Sequence, residues 1–305
     1  LEGATGVTDV SIHDAVRTAR GRARPDGGLA QETPQSLVAQ LVDALELRGR
    51  VPRDARLLIL GSVGQIGAQG GHIALIAKLK AGLAPETAAH SLNNFCASGL
   101  SAIGHAAAAG TATHALAGLG HDEAARTTAA GKLAALPAAF AGLADAYRSV
   151  IGPVVIDHRH TPAHAPPMTN GAGLALVGPA HGNPRARITA FAEAGGENRA
   201  SLLAGFAAME TALYRAGFGL SDMDRIEFME AFADIIARLV RDYRQDIGRV
   251  NVGGGHIAKG HPLGATGAIL LSTLLDALDG CGGRDGLEVA TGAQGVGAAM
   301  VVERL

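Results

Sequence analysis

The chain of 305 residues contains no tryptophan, and only three tyrosines and seven phenylalanines. A ring-lined pocket is therefore a poor starting hypothesis. The 43 glycines and abundant alanines suggest closely packed helices with small side chains. Two cysteines, Cys96 and Cys281, are too few for a disulfide framework, which makes a reducing cytoplasm the expected setting. With a net charge of −2 there is no basic excess to form a nucleic-acid footprint. No apolar run reaches the ~18 unbroken residues of a membrane span, and the start of the chain lacks a basic-then-apolar signal pattern. The expectation is a soluble cytoplasmic protein, with length enough for a large core in one or two domains.

Two other absences narrow the chemistry. Gly254 to Lys259 lacks the Gly-Lys-Ser/Thr ending of a phosphate loop, and Gly118-Leu-Gly120 is too short for a dinucleotide fingerprint. His158, His160 and His164 crowd one segment. Proline interruptions and the lack of paired cysteine or acidic partners argue against zinc, so no metal is expected.

What is present centres on Asn251 to Gly267, where His256 and His261 are set among glycines ahead of the apolar segment Ala268 to Leu278. Pro262 suits a first helical position, because its missing N–H would have no partner there. That puts His261 at a helix N-terminus, where free amides and the helix dipole favour developing negative charge. A second strand–turn–helix, Asn93-Asn-Phe-Cys-Ala-Ser-Gly99, sets Cys96 at the start of a small-residue helix, Leu100 to Ala109. The same dipole is expected to lower the thiol's pKa. A thiol and an imidazole converging from two helix mouths suit nucleophilic catalysis.

The rest of the chain reads as two passes through one βα order. Val7 to His13 and Arg56 to Leu60 read as strands. Thr33 caps a helix with Leu37, Val38, Leu41, Val42 and Leu45 on one face, closed by Gly49. Gly71 to Leu79 reads as a helix, His90 to Phe95 and Thr113 to Ala117 as strands. The second pass runs through strand Arg187 to Phe191, the helical stripe Leu202, Leu203, Phe206, Met209 and Leu213, strand Ile226 to Met229 and helix Ile236 to Val240. Leu287 to Ala290 and Ala298 to Glu303 finish the sheet. Lys132 to Leu143 suggests a helix between the halves, followed by a loop from His158 to Pro167. An internal duplication of mixed sheets covered by helices follows.

The Cys96 motif N-x-x-C-A-S-G, the Asn251–Gly267 motif N-x-x-G-G-x-I-A-x-G-H-P-x-G-x-[ST]-G and the ending Gly297 to Arg304 together resemble a thiolase. Asp14 to Thr18 resembles that family's first strand and turn. The resemblance implies an α/β fold of five layers, αβαβα, from two stacked halves: 1–120, a shortened cap at 121–168, and 169–305, whose first strand near 169–178 completes the N-terminal sheet. It implies Cys96 as acyl-accepting nucleophile, His261 as its base, and the backbone N–H groups of Cys96 and Ala293 as an oxyanion hole. Two positions of the catalytic machinery depart from the family. Thr291 stands where a second cysteine exchanges a proton with the substrate carbon. Met229 replaces the Asn or His of the other oxyanion hole and cannot donate a hydrogen bond. Pro166 stands in place of a pantetheine-binding serine. Glu230 is a candidate for orienting a neighbour, His256 for replacing the lost base, and Cys281 is a bystander.

These positions imply an acyltransferase working through a Cys96 thioester on acetyl-CoA or 3-ketoacyl-CoA, with impaired carbon–carbon chemistry. Coenzyme A thioester would be its substrate, no cofactor would be tightly bound, and the assembly would be a homodimer or homotetramer. The alternative is a non-catalytic thiolase-like subunit that binds an acyl thioester or a partner. A ketoacyl-synthase-like condensing enzyme ranks last, because it needs a second histidine at Met229.

Overall fold

A computed structural model describes residues 10–109, 132–133, 135–198 and 201–305. The strand expected at Thr113 to Ala117 lies outside them. The first half runs β1 (Val10–Arg17), β2 (Gly21–Arg22), α1 (Pro34–Leu47), β3 (Leu57–Gly61), α2 (Ile73–Ala81), β4 (Ala88–Leu92) and α3 (Ser98–Ala108), then β5 (Thr169–Asn170) and β6 (Gly173–Pro179). The second runs β7 (Ala186–Gly195), α4 (Ala204–Ala216), β8 (Arg225–Phe228), α5 (Ala233–Tyr243), α6 (Thr266–Cys281), β9 (Asp285–Gly292) and β10 (Val296–Arg304).

Local chemistry explains where several helices start and stop. Thr33 caps α1 by accepting from the Ser36 amide, while Ser36 Oγ accepts from the Thr33 amide. Gly82, Gly217 and Gly282 close α2, α4 and α6 in the left-handed region, which costs glycine nothing. The segment expected as one helix from Lys132 to Leu143 instead has turns, bends and irregular backbone over 135–142, with one-turn helices at Leu143–Ala146 and Arg148–Ile151. Pro137 lies inside that stretch, where it removes a donor and disfavours helix for its predecessor.

The strand pairings repeat between the halves. β1 pairs antiparallel with β6, as β7 does with β10. β3 pairs parallel with β4, as β8 bridges in parallel to Val250. A six-stranded sheet, β6-β1-β7-β10-β9-β8, joins the halves edge to edge where Ser11 and Ile12 meet Arg187 and Ala186.

Strand periodicity sorts the side chains into layers. Leu174 and Leu176 of β6 pack under α1 and α2, whereas Ala175 and Val177 face inward. On β10, Ala299 and Val301 pack with α4 and α5, whereas Ala298, Met300 and Val302 face inward. The inward faces enclose α3 and α6, giving five layers, αβαβα, with these two helices in the middle. Together with its preceding turn, α6 is long and apolar enough to cross a membrane by composition, yet here most of its residues are buried inside the fold.

The central pair touches through glycine. A Cβ on Gly99 would lie 2.9 Å from both the Ala268 amide nitrogen and the Gly264 oxygen, and one on Gly267 would overlap the Leu100 backbone. Gly280, further along α6, has open space around it. In urea unfolding, Gly267→Ala should lose about 1–3 kcal/mol or more from forced displacement. Gly280→Ala should gain about 0.4–1 kcal/mol by restricting the unfolded chain. Equal midpoints for the two variants would contradict the contact.

Candidate active site

Cys96 lies between the end of β4 and the first turn of α3. The turn is tight: Phe95 adopts a φ of +47°, its amide donates to Asn93 Oδ1 at 2.9 Å, and Ser98 Oγ accepts from the Asn94 amide at 2.9 Å. Of the five non-glycine residues with positive φ among those described, four flank the candidate site: Phe95, Asn251, Leu263 and Gln294. Such conformations persist only where surrounding contacts enforce them, and they concentrate at functional sites.

The half-buried Cys96 thiol meets a backbone cradle. Burial pushes its pKa up to about 11, while the amides of Ala293 and of Cys96 itself pull in the opposite direction. The lowering expected from the helix start is thus reversed, because loss of water outweighs the amides. Gly292 makes the close approach possible, since a Cβ there would lie 3.3 Å from the Cys96 amide nitrogen. These are the two amides expected to hold an oxyanion.

His261 sits in the other half's turn. Its backbone is held on both sides: its amide donates to the Pro167 oxygen at 2.8 Å and its oxygen accepts from the Thr169 amide at 3.2 Å. Pro262 is not the first residue of the long helix. A short turn, Leu263–Ala265, intervenes before α6 begins at Thr266, because Leu263 takes a φ of +47°. Thr266 Oγ1 lies 3.1 Å from His261 Nδ1. In the tautomer that carries its proton on Nδ1 towards Thr266, the ring would offer its Nε2 lone pair. Burial first, then the positive charge of Arg20, lower its pKa to about 4, so the ring is neutral at neutral pH.

His256 stands edge-on to His261, with ring centroids 5.1 Å apart. Its Nδ1 accepts from the Glu230 amide at 3.4 Å, and its fully buried Nε2 has no hydrogen-bond partner. Burial, Arg20, His261 and Lys259, in that order, keep it well below the usual imidazole range. Glu230 braces the glycine turn, accepting from Asn251 Nδ2 at 2.9 Å and from the Ile257 amide at 2.8 Å. Asn251 in turn makes strand-like bonds to Phe228, at 2.8 and 2.9 Å.

The two departures from the family pattern are both buried. Thr291 Oγ1 donates to the Leu202 oxygen at 2.7 Å, and a Cβ on Gly205 would lie 2.9 Å from the Thr291 Cβ. Its side chain therefore meets the start of α4, while its neighbour Gly292 abuts Cys96. Met229 packs in the central core with Ala97 and Leu100. Cys281 is exposed at the end of α6, its thiol 3.5 Å from the Leu278 oxygen.

The structure brings Cys96 and the Ala293 amide together, and His261 together with His256 and Thr266. Among the described residues no hydrogen bond joins the thiol to the imidazole; the contacting glycines of α3 and α6 set both residues at the same end of the central layer. Arg20, buried and acting on both histidines, carried no motif signal in the sequence.

Comparison with known proteins follows this geometry. The family model for the thiolase N-terminal domain matches residues 10–141, and that for the thiolase C-terminal domain matches residues 182–304. A steroid 3-ketoacyl-CoA thiolase of Mycobacterium tuberculosis is 36% identical over 159 residues, which is 50% of this chain and 39% of that protein. The cytosolic acetyl-CoA acetyltransferase of Mus musculus is 37% identical over 150 residues, 47% of this chain and 38% of that protein. The chain thus aligns with about two fifths of the length of these curated relatives. Human mitochondrial 3-ketoacyl-CoA thiolase in complex with CoA superposes with a TM-score of 0.85 over 99% of this chain and 100% of that one, at 21% identity, a likeness of fold.

The geometry fixes how the thiol should titrate. In a Cys281→Ser background, alkylation of Cys96 by iodoacetamide should keep accelerating above about pH 9, past the ~8.5 of an ordinary thiol. Levelling off near neutral pH would contradict the buried, neutral thiol.

Proposed function

The chain belongs to the thiolase family, and from that premise we propose that it is an acyltransferase that carries an acyl group from acetyl-CoA or a 3-ketoacyl-CoA on Cys96 as a thioester. The observation that carries this reading is the close approach of the Gly292–Ala293 backbone to the Cys96 turn, where a Cβ on Gly292 would lie 3.3 Å from the Cys96 amide nitrogen and the Ala293 amide acts on the thiol. Backbone donors aimed where charge develops are worth most in a site shielded from water.

In this reading the resting site holds a neutral thiol and a neutral imidazole, far apart on the pH scale. A standing thiolate–imidazolium pair is therefore unfavourable. The thiol proton leaves as Sγ bonds to the thioester carbon, with His261 Nε2 as its acceptor. The carbonyl oxygen gathers charge against the two amides; coenzyme A then departs as thiol, taking the proton back. Carbon–carbon chemistry is impaired, because an alcohol such as Thr291 is a poor base and its proton is committed to Leu202. Losing a positioned base costs about 10²–10⁴ in rate.

That commitment of Thr291, with a buried thioether at Met229, favours a second reading: a non-catalytic thiolase-like subunit that binds an acyl thioester or a partner. Under either reading we propose a cytoplasmic homodimer or homotetramer. β4 supports the assembly: it is half-exposed and pairs only with β3 among the described strands, beside the exposed Leu75, Ile76 and Leu79 of α2.

Intact-mass analysis after incubation with acetyl-CoA separates the two readings. The acyltransferase gains one acetyl group per chain, and Cys96→Ala gains none. No adduct on the parent protein would overturn catalysis and leave the binding role.

A further inference from the structure

Glu227 on β8 and Glu288 on β9 belong to no part of the mechanism above, yet both are fully buried. The parallel register pairs them directly, Glu227 with Glu288. Both occupy inward positions. On β8 they alternate with Ile226 and Phe228, and on β9 with Leu287 and Val289, all of which pack outward with α4 and α5. Three of their four carboxyl oxygens, Glu227 Oε2 and both oxygens of Glu288, are sealed from solvent without a hydrogen-bond donor. Two ionised carboxylates side by side in that setting would each lack water and repel the other.

A single proton removes both difficulties. We propose that Glu288 is a neutral carboxylic acid that donates its proton to the Glu227 carboxylate, so that the two residues form a one-proton dyad behind the candidate site. The charged surroundings divide the roles. Glu227 faces the cations Lys259, Arg20 and Arg17, with Glu230 opposing them, whereas among the described residues the charged group acting on Glu288 is Glu227. The anion therefore rests on Glu227 and the proton on Glu288. Burial, and after it the Glu227 charge, pushes Glu288 well above the carboxylate range, whereas the rise that burial causes at Glu227 is opposed by Lys259, Arg20 and Arg17.

The dyad's one negative charge faces Arg20, the cation that acts on both His256 and His261. Glu227 thereby becomes a positioning residue for the imidazole pair: it balances Arg20, while the proton on Glu288 prevents a second charge from building up. A sealed proton makes the fold sensitive to alkali. The folded dyad keeps on Glu288 a proton that the unfolded chain releases above the ordinary ~4.5 of glutamate, so this contribution is complete at low pH and is lost as pH rises towards the raised value of Glu288.

The test uses Glu288→Gln, whose amide can still donate to Glu227, and needs no activity assay. At pH 7 the infrared spectrum of the folded parent should contain the carbonyl stretch of a protonated carboxylic acid, absent from the variant. Unfolding at pH 7.5 should release about one proton per chain more from the parent than from the variant. The parent's thermal midpoint should fall between about pH 6 and pH 9, with a shallower fall in the variant. Glu227→Gln, which removes the anion and leaves Glu288 buried, serves as the second variant: it should keep the acid band, so that the band's loss is specific to Glu288→Gln. A parent without the band, or one whose proton release and alkaline decline match those of Glu288→Gln, would overturn the dyad. Neither outcome bears on whether Cys96 is acylated.

Discussion

The fold turns on the backbone contact between two helix beginnings. At Gly99, Gly264 and Gly267, α3 and α6 approach with no side chain between them, which lets one helix from each half share the layer between two inward sheet faces. Everything at the candidate site hangs from that contact. Cys96 precedes one glycine and His261 another in chains of a few residues, so two turns from distant parts of the sequence open at the same end. The sheets add the rest: β9 ends at Gly292, whose missing side chain admits the Cys96 amide, and the next amide belongs to Ala293.

Enclosure decides the chemistry of these groups. A helix beginning, two amides and a nearby imidazole would by themselves favour a thiolate, but removal of water outweighs them at Cys96. The same force keeps His256 and His261 neutral and pushes Glu227 and Glu288 towards their protonated forms. The two turns thus hold a neutral thiol and neutral imidazoles, so proton transfer must accompany bond formation. Four strained residues at their edges, Phe95, Asn251, Leu263 and Gln294, are held by the hydrogen bonds that shape the turns.

The sequence made legible those features whose cause is local. The Thr33 cap and the α1 stripe of Leu37, Leu41 and Leu45 follow from spacing and turn chemistry, and they emerge as expected. The duplicated order was legible because each half repeats it. Features set by contacts across the chain were not. The raised thiol depends on burial that no window around Cys96 records. The turn between Pro262 and Thr266 depends on the positive φ of Leu263, a residue type that gives no warning of it. Thr291 could be recognised as an alcohol in place of a thiol, but not as one tied to Leu202. Glu227 and Glu288 sit in segments read only as strands, and their register shows that they meet.

The central claim is that the imidazole from one half serves the thiol from the other. Single-turnover transfer of an acetyl group from acetyl-CoA to Cys96, followed by mass in the parent and in His261→Ala at equal folded stability, tests it most directly. Shared chemistry predicts a rate about 10²–10⁴ lower in the variant. An unchanged rate would mean that the two helix beginnings meet without the two residues working together.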